Sequence, residues 1–185
     1  MEKFVSCNHC TSNEYTKYFM DILEPIIYES LQSMYKQAVD ISKQADADDR
    51  IIMIFQKLLR TVSNWDPKKI EEETARIKDI SKCEYLDDLV RIMIKSKICV
   101  LTNSNNANNV IPAALENELS TCNVIHKCYI ECVKDAHNHP FLFYHEIDPI
   151  IFKQNQIMAA NSIRNGIDRG IRKTLPVEHI IKNYV

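Results

Sequence analysis

Glycine is nearly missing from this chain: Gly166 and Gly170 are the only two in 185 residues. A loop that cradles phosphate, or a dinucleotide-binding turn, needs glycine so that backbone can approach the ligand, and tight hairpins favour it for positive φ. No connecting segment here carries one, so those function classes lose their usual scaffold. Long apolar runs are also lacking. The best, Ile92 to Leu101, is interrupted by Lys95 and Lys97 and falls well short of the roughly 20 residues that cross a bilayer. An excess of one charge is missing too, since the formal net charge is −2, which argues against a generally basic nucleic-acid coat. Met1 to Ser12 lacks a basic cap followed by an apolar stretch, so no secretory leader is expected.

What remains is ordinary for a soluble globular protein: 45% hydrophobic and 26% charged residues, in a chain long enough to bury one core. Seven cysteines, an odd number without a leader, read as reduced thiols and not as a disulfide framework.

Hydrophobic periodicity points to helices throughout. Leu23, Ile27, Leu31, Met34, Ala38 and Ile41 share one face of a first helix over about 14–45, with a kink or fresh start expected at Pro25. Ile51, Ile52, Phe55, Leu58, Leu59 and Val62 stripe a second. Asp66 and Pro67 read as N-cap and first position of a third, with Trp65 and Ile70 at staple spacing. That third helix is thinly apolar and reads as a surface element. A fourth, about 85–101, is apolar over much of its circumference.

An asparagine-dense stretch after Leu101 reads as a loop. A fifth helix is expected over about 113–137, carrying Leu115, Leu119, Cys122, His126, Tyr129, Val133 and Ala136 on one face. Phe141 to Tyr144 reads as an apolar plug. Pro149 opens a sixth helix to about Thr174, and Pro176 a short terminal one. The expected fold is therefore all-α, an irregular bundle of six to seven helices. Its organisation is an extended N-terminal arm at 1–13, a helical part at 14–101, an Asn-rich loop at 102–112 and a second helical part at 113–185, forming one domain overall.

Cys7-Asn8-His9-Cys10 has the CxxC spacing of zinc sites, yet no second knuckle accompanies it, so Cys7 and Cys10 are weak metal candidates. In the fifth helix Cys122 and His126 share one side while Cys128 and Cys132 share another, roughly 160° or more away, so the four cannot surround one ion. They read as small buried hydrophobes, and His126 as a core histidine with a bonded ring. His145-Glu146 is followed by Ile147-Asp148-Pro149, which breaks the zinc-protease pattern. No nucleophile elbow is present. No catalytic residue and no cofactor are expected.

Ser162, Gly166 and Gly170 form a small-residue row beside Ile163, Ile167 and Ile171. Each glycine costs a helix about 1 kcal/mol relative to alanine, so the pair points to close approach by another helix, within the chain or between chains. The segment from Ile150 to Val185 sets six basic residues, Arg169 and Lys173 among them, against two acidic ones. Thr11 to Asp49 has the opposite bias, with eight acidic residues and three lysines. Ser162, Ile163, Gly166, Ile167, Arg169, Gly170, Ile171 and Lys173 are therefore the candidate interface residues.

The stretches QKLLRTVSNWDPKKIEEETARI (Gln56 to Ile77), IHKCY (Ile125 to Tyr129), NHPFLF (Asn138 to Phe143) and IDRGIRKTLPVEHIIKNYV (Ile167 to Val185) resemble a family of small helical proteins encoded by nucleocytoplasmic large DNA viruses. The resemblance covers most of the chain after about residue 20 and is strongest in the last sixty residues. It implies a non-enzymatic virion protein, assembled in the host cytoplasm, that acts as a minor capsid component of an icosahedral shell. Its partners would be the major capsid protein or further minor capsid proteins, with no small-molecule substrate, no nucleic acid and no membrane span, although the shell's inner membrane would lie close by. No functional residue carries over, and Cys7 and Cys10 are outside the pattern. The alternative left open is a zinc-stabilised regulatory or nucleic-acid-binding module of the infected cell.

Overall fold

In a computed structural model, which describes residues 2–46, 48–102 and 119–184, three helices begin where a side chain caps them. The elements are α1 (Glu2–Gln44), α2 (Ile51–Thr61), α3 (Pro67–Ser81), α4 (Leu86–Thr102), α5 (Thr121–Asn138), α6 (Pro149–Thr174) and α7 (Val177–Tyr184). Short 3-10 turns occupy Asp48–Arg50, Val62–Asn64 and Pro140–Phe143, and there is no strand among the described residues. The Asp66 carboxylate accepts the Lys69 N–H at 2.7 Å with Pro67 opening α3. Asp148 accepts the Ile150 N–H at 2.8 Å with Pro149 opening α6. Ser120 caps α5 through the Asn123 N–H at 3.4 Å.

Three expectations need correction. The backbone of 2–13 is helical and continuous with α1, so it is no extended arm. That stretch holds neither glycine nor proline, and extending a helix already nucleated by buried turns costs little. Helix α1 also runs through Pro25, so no fresh helix starts there. An interior proline costs about 3 kcal/mol, which burial of the neighbouring Leu23, Ile26 and Ile27 offsets. Helix α5 starts at Thr121 and not near 113, because Ser120 takes the cap. Most of the asparagine-dense stretch, and Leu115, lie outside the described residues.

Helix α1 is the axis of the packing and touches α2, α3, α4, α5 and α6. Phe19, Leu23, Ile27, Leu31 and Ala38 along it are fully buried, while Ile41 at its end is exposed. Of the apolar plug, Phe143 is buried, stacked on Tyr28 at 6.0 Å and edge-on to Phe55 at 5.3 Å, whereas Phe141 is 67% exposed. Helix α3 is not purely a surface element, since its inner side buries Glu73, Thr74 and Ile77. Helix α7 contacts α4.

The scarcity of glycine shows at two helix ends. Asp46 and Lys82 adopt left-handed φ values of 49° and 52°, the conformation glycine fills at no steric cost.

Candidate functional site

The small-residue row faces inward. Helices α5 and α6 run antiparallel and form the most extensive pairing among the described residues, with Gly166 over Cys132 and Gly170 over Cys128. A Cβ on Gly166 would stand 2.7 Å from the Cys132 Sγ and 3.0 Å from its Cα. On Gly170 it would stand 2.5 Å from the Cys128 Cα. The Cys132 and Cys128 thiols point to the carbonyls of Ile163 and Ile167 at 3.4 and 3.6 Å. Burial pushes both thiols well above the ordinary cysteine range, so they stay protonated and act as small hydrophobes. Ile163, Ile167 and Ile171 are buried beside the row.

The polar candidates close the same seam. Ser162 Oγ donates to Asp135 at 3.0 Å and Arg169 Nη2 to Asp135 at 2.6 Å. The nearly buried Glu131 accepts from Lys173 at 2.8 Å and Lys134 at 2.7 Å, and lies 3.7 Å from Arg169 Nε. Burial alone would raise the Glu131 pKa, but these lysines outweigh it and hold the carboxyl below its usual range. Ser162, Ile163, Gly166, Ile167, Arg169, Gly170, Ile171 and Lys173 thus bind α6 to α5 within one chain. Of the two placements left open for the glycine row, the contact seen is the one within the chain, against Cys128 and Cys132.

The charge bias is also spent internally. Arg164 reaches α1, 2.7 Å from Asp21 and 3.5 Å from Glu24. Arg172 pairs with Asp168 and Lys182 with Glu178. Among the basic residues of the last 36 positions, Lys153 alone has no acidic partner within 4 Å among the described residues.

The fifth-helix cluster diverges as helical geometry requires. Cys128 and Cys132 face α6, while His126 Nε2–H donates to the Val62 carbonyl at 2.8 Å and its half-buried ring stacks on Trp65 at 5.9 Å. A carbonyl only accepts, so the proton sits on Nε2. The side chains of Cys7 and Cys10 lie outside the described residues. Among the described residues, no three of His, Cys, Asp and Glu gather closely enough to hold a metal ion.

Sequence reasoning missed a polar knot where α1, α3 and α5 meet. Glu73 takes two hydrogen bonds from Arg76, at 2.9 and 2.6 Å, and a short one from the Tyr129 hydroxyl. Ser30 Oγ lies 3.0 Å from that hydroxyl and accepts from Arg76 at 2.5 Å. Burial and the facing carboxylate push the Tyr129 pKa up, and the hydrogen bond to Glu73 raises that of Arg76. Trp65 covers Tyr129, with ring centres 5.3 Å apart. No local signal marks Glu73, because its pair with Arg76 three residues on looks like any surface pair of α3, while Ser30 and Tyr129 lie on α1 and α5. Every member of the knot bonds another, so it has the character of a structural tie.

Shallow clefts open to solvent among the described residues. One of about 240 Å³ lies between Tyr35, Lys36, Phe143, His145 and Phe152, with the Tyr35 hydroxyl 3.0 Å from His145 Nδ1. Another of about 310 Å³ lies between Arg60, Ser63, Lys134 and His137, where Arg60 Nε–H donates to His137 Nε2 at 3.1 Å.

The outward side of α6 is different in kind. No residue from Pro149 to Met158 is buried, and Ile150, Ile151, Ile157 and Met158 are 71%, 50%, 55% and 58% exposed. At 100° per residue these four lie on one face, centred on Gln154 and continued by Asn161 and Asn165. That face carries no charge from Ile150 to Asn165. Its apolar part leaves on the order of 400 Å² in water, the size of the largest apolar patch of a typical monomer, which is often functional.

Residues 1–144, well over half of the chain, match a family of unknown function (DUF5764), and the protein belongs to it. The matched segment runs from α1 through the turn at Pro140–Phe143. No curated protein and no solved structure matches the chain.

Proposed function

From membership in a family without an assigned activity, we propose that this protein is a non-enzymatic assembly component whose outward helix faces bind other proteins. With the resemblance to proteins of large DNA viruses in support, the proposed role is that of a minor capsid protein of the virion, with other capsid proteins as partners. The observation that carries the reading is the uncharged apolar face of α6, exposed where a self-sufficient bundle would place charge.

Two further features support contact with protein over nucleic acid. The basic residues of α6 are largely neutralised by Asp21, Glu24, Glu131, Asp135 and Asp168. The exposed apolar side chains of the α6 face are aliphatic and offer no ring on which a base would stack. The most polar buried groups, around Glu73, hydrogen-bond one another and so serve folding.

The test is quantitative mass spectrometry of purified particles of the encoding virus. The reading expects this chain at a fixed ratio to the major coat protein, and its absence from washed particles overturns the reading.

A further inference from the structure

We propose that the occupant of the α6 face is a second copy of this chain, packed antiparallel about a two-fold axis at Gln154. The inference deepens the contact-surface reading and rests on it. Along the exposed face, Ile150, Gln154, Ile157 and Asn161 follow the 4-3-4 spacing of a helix-pairing seam, flanked by Ile151 and Met158. An uncharged amide at the centre of such a seam favours one register, since a buried Gln154 is satisfied by Gln154 of the second copy.

Three observations favour a copy over an unlike partner. The seam is uncharged, so it neither repels itself nor selects an oppositely charged surface. Antiparallel pairing opposes the helix dipoles, whereas parallel pairing would stack like ends. With the axis at Gln154, Ile150 meets Met158 of the second copy and Ile151 meets Ile157, so every exposed apolar residue of the face is used. The area fits as well. Two patches of about 400 Å², with the stems of Lys153, Gln154 and Asn161, approach the low end of about 1,200 Å² for specific interfaces. The dimer is therefore weak and concentration-dependent.

The test is sedimentation of the full chain over a concentration series to about 100 μM, high enough to populate a weak dimer. Wild type is expected to shift from monomer to dimer, while Ile157→Glu weakens association by more than about tenfold, because it buries an unpaired carboxylate. Gln154→Cys should form a 154–154 disulfide under mild oxidation, mapped by mass spectrometry, because the axis brings those Cα atoms within about 4–7 Å. Asn161→Cys should not link to itself, since an antiparallel pair separates the two by about 20 Å. A wild type that stays monomeric, an Ile157→Glu variant that dimerises as before, or equal linking through 154 and 161 overturns the proposal. Failure of the underlying reading is distinguishable, because a monomeric chain still found at fixed ratio in particles keeps the contact role and loses only the copy as its occupant.

Discussion

The Cα of Cys128 lies 2.5 Å from the point where a Cβ on Gly170 would stand. Helices α5 and α6 therefore meet backbone to backbone, and no rotamer change makes room there. Overpacking costs about 1–3 kcal/mol, while alanine regains about 1 kcal/mol of helix propensity. At Gly170 the steric cost wins, because the obstructing atom is main chain. Gly170→Ala should lose about 2 kcal/mol in urea titration, followed by the fluorescence of Trp65. Gly166→Ala should lose less, since its nearest obstacle is the Cys132 Sγ at 2.7 Å. Cys132→Ala should relieve Gly166→Ala, and Cys128→Ala should not relieve Gly170→Ala.

The knot around Glu73 predicts a hierarchy. Glu73→Ala strands both the Tyr129 hydroxyl and the Arg76 guanidinium and should cost about 3 kcal/mol. Tyr129→Phe leaves the Glu73–Arg76 pair intact and should cost about 1 kcal/mol. Equal losses in denaturant titration would contradict the assigned bonding.

How much of this could be read from residues alone depends on how local the cause was. Asp66-Pro67 and Asp148-Pro149 announce helix starts within two residues, and both starts fall where capping rules put them. The glycine pair announces a close approach, but the approaching surface is Cys128 and Cys132, some forty positions earlier, so its partner was not legible. Glu73 looks like any carboxylate of a polar helix. Only the meeting of Ser30, Arg76 and Tyr129 makes it an interior group. Ile150, Ile157 and Met158 look like core residues in any hydrophobicity pattern, and only the placement of α6 at the edge of the bundle leaves them in water.

Lys82 ends α3 in the left-handed region at φ 52°. A non-glycine residue there costs about 1–2 kcal/mol, part of which glycine returns as extra freedom of the unfolded chain. Lys82→Gly should therefore raise stability by about 0.5–1 kcal/mol. Its exposed pair with Asp79 contributes little and is a small loss. Thermal melting checks the sign.

Alkaline pH should unfold the protein through its buried tyrosines. Unfolded tyrosine loses its proton near 10. Burial pushes Tyr35 up to about 12 and Tyr129 higher still, so above pH 10 the unfolded state sheds protons that the native state keeps. Stability should fall between pH 10 and 12, and Tyr35→Phe should flatten that fall. On the acid side, Glu131 is held below its usual range, so its contribution is present above about pH 4.5 and disappears as pH drops through its native value. Urea titrations across pH check both limbs.

The most direct measurement pairs thermal melting with particle incorporation for Ile157→Glu and Gly170→Leu. The outward face of α6 is held to make the contacts and the glycine row to hold the fold. Ile157→Glu should then melt like wild type yet fail to enter particles, while Gly170→Leu should melt well below wild type. Wild-type incorporation of Ile157→Glu would contradict the account.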